Sequence, residues 1–176
     1  PYTYDPTKAK ELLAAAGYAD GFEMKIWASG DERKRIAEVI QANLLDVGIK
    51  ATIEMYEWGT YIDLLLKGDE EGYVLSWTSN PDPDATLTPH YFSGNIGGMN
   101  FARLNDPKLD EMLKGAREEL NLEKRALLYN DLHDYINDQA PNTPLFVKNA
   151  VIGANKNLKG VELSPQGLLN LQKLHY

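Results

Sequence analysis

Cysteine is absent from the 176 residues. That excludes disulfides, thiolate nucleophiles and cysteine-bound zinc. It leaves the compartment open, although the absence suits an exported protein. An excess of basic charge is absent too. Lys and Arg number 18 against 26 Asp and Glu, giving a formal net charge of −8, which argues against binding nucleic acid or anionic membranes through bulk electrostatics. No run is long and apolar enough to span a bilayer. Walker, GxGxxG, HExxH and EF-hand patterns are all missing, and with them the phosphate, dinucleotide, zinc-protease and calcium readings those spacings support. His90, His133 and His175 stand far apart without a triad partner and read as surface or packing residues. The chain has neither an initiator Met nor a leader. Its opening, "PYTYDPTKAKELLAAAG", reads as the middle of a longer protein.

What is there is an ordinary globular composition, 43% hydrophobic and 25% charged, in a length suited to one well-buried domain. Asp5-Pro6 sets an N-cap and a first helical position. Ala9, Leu12, Leu13 and Ala16 form a stripe that Gly17 ends. "FEMKIW" alternates, with Phe22, Met24 and Ile26 on one face and Glu23, Lys25 and Trp27 on the other. Ser29 and Glu32 have capping-box spacing before a helix to about Asp46, with Ile36, Val39, Ile40, Leu44 and Val47 inward. "IKATIEM" alternates as a second strand, "TYIDLLLKG" reads as a helix, and "YVLSW" as an all-apolar third strand.

Strand, helix, strand, helix, strand, with connections long enough for parallel crossovers, predicts an α/β fold with a mostly parallel sheet flanked by helices. Two further helices follow. One starts at Asn105-Asp106-Pro107 with Leu109, Met112, Leu113 and Ala116 inward. The other starts near Asn121 with Leu128, Leu132, Tyr135 and Ile136 inward. "LFVKNAVIG", after Pro141 and Pro144, is another strand candidate, and from about Asn155 the chain turns loop-rich.

Open parallel sheets bind ligands beyond the carboxyl ends of their strands. The three tryptophans, Trp27, Trp58 and Trp77, each fall at the end of a predicted strand. Aromatics with a few hydrogen-bonding groups are the usual lining of a small-molecule or peptide site; each Trp taken singly is equally a core or rim residue. After Trp77 comes "TSNPDPD". Pro81 and Pro83 stiffen it. Thr78, Ser79 and Asn80 are nearest the strand end and are the candidates for polar ligand contacts, with Asp82 beside them. Asp82 and Asp84 admit three readings: a wall of the cleft, a helix cap with an exposed acid, or a carboxylate pair for hydrolysis. "SGNIGG", Ser93 to Gly98, is a loop over the cleft or a plain turn.

In order along nearly the whole chain, "YDPTKAKELLAAAGY", "IAEVIQANLLDVGIKATIEMYEWGTYIDLLLKGD", "LSWTSNPDPDATL", "NDPKLDEMLKGAREELNLEKRALLYNDLHDYINDQAPNTPLF" and "LKGVELSP" resemble the C-terminal lobe of the family 5 extracellular solute-binding proteins. These are the oligopeptide, dipeptide and nickel receptors of bacterial ABC importers. The resemblance implies a periplasmic-binding-protein-like (type II) lobe over residues 1–154. It implies a segment, 155–176, returning toward the N-terminal lobe of a longer parent. It further implies a monomer outside the cytoplasm, periplasmic or lipid-anchored, that needs no cofactor, performs no catalysis and hands its solute to permease subunits.

Dipeptide-binding members of the family carry an Arg for the ligand carboxylate where Trp27 aligns, and an Asp for the ligand ammonium where this chain has Asn80. Neither replacement can form that ion pair. Arg33, Lys34 or Arg35 would substitute for the Arg, or simply mark a solvated helix start. A longer peptide gripped by its backbone, a nickel complex, or a saccharide stacked on Trp tolerates these changes; peptide is the reading the family favours.

Overall fold

Asp5 caps the first helix as its position predicts. Its side chain accepts the Lys8 backbone N–H at 2.9 Å, Pro6 opens α1 (Pro6–Ala15), and Gly17 leaves the helix at a φ of +87°. The computed structural model describes residues 2–78 and 80–176. Its chain groups into two units, Pro1–Trp77 with Gly97–Phe101, and Thr78–Ile96 with Ala102–Tyr176.

In the first unit, β1 (Glu23–Ala28) and β2 (Lys50–Met55) pair in parallel, with Glu23 opposite Lys50 and Ala28 opposite Met55. The connection between them is α2 (Gly30–Asp46), and α3 (Trp58–Lys67) follows β2. Alternation along β1 sends side chains to two separate cores. Ile26 and Ala28 join Ala37, Ile36, Ile40 and Leu44 of α2 on one face. Trp27 joins Tyr61 and Leu65 of α3, with Phe101, on the other. Both faces of the sheet are therefore covered, as parallel strands require. Two glycines let the strand entries approach each other. A Cβ on Gly21, at a φ of +74°, would lie 1.9 Å from the Gly48 carbonyl oxygen.

The third predicted strand is reduced to one parallel bridge, between Tyr73 and Trp27. The Trp27 N–H donates to the Gly72 carbonyl at 2.8 Å, and the Val74 N–H to the Trp27 carbonyl at 3.0 Å. The register explains the loss. The segment meets β1 at Trp27, one residue before β1 ends, and upstream of that bridge the Lys25 N–H goes to the Glu71 carboxylate at 2.6 Å instead of to a backbone carbonyl, so the ladder does not extend. Other expectations need correction as well. Ser29 stands at the N-cap of α2 but makes no side-chain capping bond. Val39 is exposed, because a step of about 100° per residue takes it off the Ile36–Ile40–Leu44 stripe, and Ala37 takes the buried place. The α1 stripe is not buried, and Leu12 is exposed.

The second unit is helical where the sequence predicts loop. α4 (Asp84–Tyr91) was not foreseen; α5 (Pro107–Glu118) and α6 (Leu122–Gln139) were. Asp106 caps α5 through the Lys108 and Leu109 N–H groups, and Asn121 caps α6 through Lys124. Leu109, Leu113 and Ala116 pack on Tyr129, Leu132 and Ile136, with Leu87 and Tyr91 of α4 against them. Leu128, expected inside, is more than a third exposed, and Tyr129 is buried in its stead. "SGNIGG" begins as a short 3-10 turn, and Asp110 accepts from both the Ser93 N–H and its hydroxyl. "LFVKNAVIG" forms neither strand nor bridge among the described residues, and Leu145, Phe146, Val147 and Val151 stand exposed. Beyond it, antiparallel bridges join Lys159 to His175 and Leu163 to Leu169.

Candidate functional site

The carboxyl edge of the first unit's sheet is made of three short exits. Ser29 follows β1, Trp58 opens the helix after β2, and Ser76-Trp77 follows the Tyr73 bridge. One side chain ties all three together. Arg33, in the first turn of α2, donates from Nη1 to the Ser29 carbonyl at 3.2 Å and from Nη2 to the Ser76 hydroxyl at 2.9 Å. Its guanidinium lies over the Trp58 ring, 4.8 Å from the centroid, a favourable cation–π arrangement. Trp58 is held in turn beside Tyr61, with ring centroids 6.0 Å apart. Trp58 and Trp77 are 46% and 53% exposed, whereas Trp27 is only 6% exposed.

Trp27, expected to face a ligand, is buried among its neighbours. It stands directly opposite Glu54 in the parallel register. Its indole Nε1 donates to Glu54 Oε2 at 3.0 Å, and its ring meets Tyr56 edge-on at 5.2 Å. Trp27 is the floor beneath the edge rather than part of its surface. Glu54 also accepts from the Tyr56 hydroxyl and pairs with Lys25 Nζ, both at 2.8 Å. The Lys25 bond, then the Tyr56 bond, hold the Glu54 carboxyl below its ordinary range. Tyr61, buried against Val74 with its hydroxyl donating to the Val74 carbonyl at 2.8 Å, is pushed well above the usual phenol range by that burial.

The remaining candidates belong to the second unit and are described within it. Thr78 is exposed. Asn80 Oδ1 accepts from Gln166 Nε2 at 2.9 Å. Ser79 lies outside the described residues. Asp82 accepts the Asp84 N–H at 2.9 Å and the Arg125 guanidinium at 2.8 Å, and Arg125 itself lies over the Tyr129 ring. Asp84 receives Arg117 Nε on both oxygens at 3.1 Å, and the Thr88 hydroxyl at 2.6 Å. Each acid thus has its own arginine, and Asp82 also caps the turn into α4. The turn into α4 is thus capped by Asp82, and both acids are ion-paired rather than solitary. Arg125 first, then the Asp84 amide, keep the Asp82 carboxyl below its usual range.

Glu54 escaped the sequence reading, and Arg33 stood there only as one of three adjacent candidates. Glu54 looks like an outward acid on an alternating strand, and only the register places it under Trp27. Arg33 is one of three adjacent basic residues; its position four residues after Ser29 is the one signal that singles it out.

Residues 1–98 match the family model described as bacterial extracellular solute-binding proteins, family 5 Middle. The chain belongs to this family. Family 5 relatives include heme-binding protein A of Haemophilus influenzae, 38% identical over 173 residues, which cover 94% of this chain and 32% of that protein. The dipeptide-binding protein of Pseudomonas aeruginosa is 36% identical over 169 residues, 92% of this chain and 32% of the relative. Among solved family 5 structures, the dipeptide-binding protein of Pseudoalteromonas sp. SM9913 in complex with Met-Leu superposes with a TM-score of 0.79 at 29% identity, over 97% of this chain and 35% of the other. NikZ of Campylobacter jejuni in complex with Ni(L-His) gives 0.70 at 27% identity, over 80% and 31%. The fold is accordingly that of the type II periplasmic binding proteins, and the relatives are solute-binding proteins rather than enzymes. The chain spans about a third of the length of the curated relatives it matches.

Proposed function

We propose that this chain is the C-terminal lobe of the solute receptor of a bacterial ABC importer, and that its parent takes peptides or a related small solute. The observation that carries the reading is the pair Trp58 and Trp77, half-exposed where parallel strand segments end, in a chain of a solute-binding family. Sites beyond parallel strand ends are the rule in open α/β sheets, and half-exposed aromatics suit a ligand that is sometimes absent. In this reading Trp58 and Trp77 of the first unit contact the solute. Trp27 lies buried beneath that edge. The parent closes two lobes on the solute and presents it to the permease subunits outside the cytoplasm, anchored there as a lipoprotein. Residues 155–176 return toward the other lobe.

Peptide is favoured by the dipeptide and di/tripeptide receptors among the relatives. The test is a melting curve of the full-length parent, unfolded and refolded to strip carried-over solute. The panel is dipeptides, tripeptides, oligosaccharides, nickel–histidine and heme. A solute that binds only the native state raises Tm, by the equivalent of about 2.7 kcal/mol at a hundred times Kd. Peptides are expected to raise it. A shift with sugars, nickel–histidine or heme alone keeps the receptor and replaces its solute. No shift with any of them, together with turnover of a panel member, contradicts the receptor reading.

A further inference from the structure

We infer that Glu54 is a positioning residue for the carboxyl-edge site: by holding the Trp27 and Tyr56 rings it fixes the turn from β2 into α3 and so the presentation of Trp58. This rests on the solute-receptor reading. In the parallel register Glu54 shares a sheet face with Trp27, and its carboxylate gathers three donors. One oxygen, Oε2, accepts both the Trp27 indole N–H at 3.0 Å and the Tyr56 hydroxyl at 2.8 Å. The other, Oε1, pairs with Lys25 Nζ at 2.8 Å.

The ion pair is not what makes Glu54 matter. Lys25 and Glu54 side chains are 54% and 29% exposed, and a pair so open to water adds little stability. The two bonds at Oε2 have a different effect, because each orients a ring. A phenol has one proton to donate, and Tyr56 gives it to Glu54, which sets the ring edge-on to Trp27 at 5.2 Å. Tyr56 is also the first residue past β2, and its N–H donates to the Ala28 carbonyl at 3.0 Å. It is therefore pinned at both ends, by backbone and by hydroxyl. Directly after it, Glu57 caps α3 through the Gly59 and Thr60 N–H groups, and Trp58 opens the helix. Without Glu54 the Tyr56 ring regains its other rotamers, and the turn that carries Trp58 loses one of its fixed points. A ring placed in advance spares the solute the entropy of ordering it.

The experiment uses the full-length parent labelled with fluorotryptophan, with the Trp58 resonance assigned from Trp58→Phe. Wild type, Glu54→Gln, Glu54→Leu and Tyr56→Phe are compared by fluorine NMR and melting temperature without solute. Each is then titrated by calorimetry with Ala-Leu, maltose, nickel–histidine and heme. The amide oxygen of Glu54→Gln can stand in for Oε2 and keep both rings while the charge toward Lys25 is lost. That variant is expected to keep a single Trp58 resonance and to bind within about twofold of wild type. Glu54→Leu should broaden or split the resonance and weaken whichever solute wild type binds on the order of 10-fold. Tyr56→Phe, which loses one of the two bonds, should fall between. If Glu54→Leu melts too early to titrate, Tyr56→Phe against Glu54→Gln decides. An unchanged Trp58 resonance in Glu54→Leu or Tyr56→Phe, or wild-type affinity in both, overturns the inference and leaves the receptor reading standing. So does a loss in Glu54→Gln as large as in Glu54→Leu, since charge and not ring orientation would then be what counts. A split resonance in Glu54→Leu, with wild type binding none of the solutes, upholds the positioning of Trp58 and counts against the receptor reading.

Discussion

Trp27 and Trp58 place the same side chain in opposite environments, and their substitution should separate stability from binding. Trp27 is buried, and its indole N–H is satisfied by Glu54. Trp27→Ala is expected to cost about 3–5 kcal/mol, read as a lower denaturant midpoint, and to strand an acceptor of Glu54. Trp58 is half-exposed under Arg33. Trp58→Ala should change stability by no more than about 1 kcal/mol and yet weaken the solute clearly in the same calorimetric titration. Loss of fold in Trp58→Ala, or solute binding unchanged by it, contradicts the assignment. Gly21 is a backbone case. With a φ of +74° and the Gly48 oxygen 1.9 Å from where a Cβ would stand, Gly21→Ala should destabilise by roughly 1–3 kcal/mol in a urea melt. The tryptophans were legible as a group because they share a position relative to the strands. The burial of Trp27 was not, because it alternates with Glu23 and Lys25 and only α3 packing on that face reveals it as a second core.

At the scale of elements, the helix α4 is held by tertiary contacts that its own sequence does not advertise. "DATLTPHY" combines β-branched threonines with an internal proline, which argues against helix on propensity. Arg117 on α5 and Arg125 on α6 fix its start through Asp84 and Asp82, which is why a propensity reading left it as loop. "LFVKNAVIG" fails in the other direction. Its β-formers are real, but a strand exists only with a partner, and none is formed. The helices α5 and α6 were legible because cap, proline and stripe agree at each.

The arginine brackets carry a pH dependence. Asp82 lies below its ordinary range chiefly through Arg125, and Asp106 chiefly through the Tyr135 hydroxyl at 2.7 Å. A carboxyl whose folded value is depressed stabilises the fold above its unfolded value, and that contribution is lost as pH falls through the folded one. Tm should therefore drop as pH falls below about 4. Arg125→Gln should make that acid limb shallower while lowering Tm at neutral pH. An unchanged limb in the variant means the pair contributes nothing.

For the whole molecule, family membership, fold and the carboxyl-edge site are mutually consistent, while the solute is a matter for experiment. The alternation of elements was enough to read the α/β class, and the ordered series of segments was enough to read the family. The division into two units was not legible, because Gly97–Phe101 leaves its neighbours in sequence to join the first unit, with Phe101 packing beside Trp27 and Tyr61. If the parent closes two lobes on its solute, the 176-residue chain alone should bind that solute much more weakly than the parent does, since part of the contacts are absent. Equal affinity in a side-by-side titration counts against closure.

The measurement that tests the central claim most directly is hydrogen–deuterium exchange on the refolded parent, with and without the solute that raises its Tm most. Binding at the carboxyl edge should slow exchange in residues 27–33, 56–61 and 73–77, with Trp58 and Trp77 at their centre. Protection elsewhere, with these three segments exchanging as in the free protein, would contradict the site proposed here.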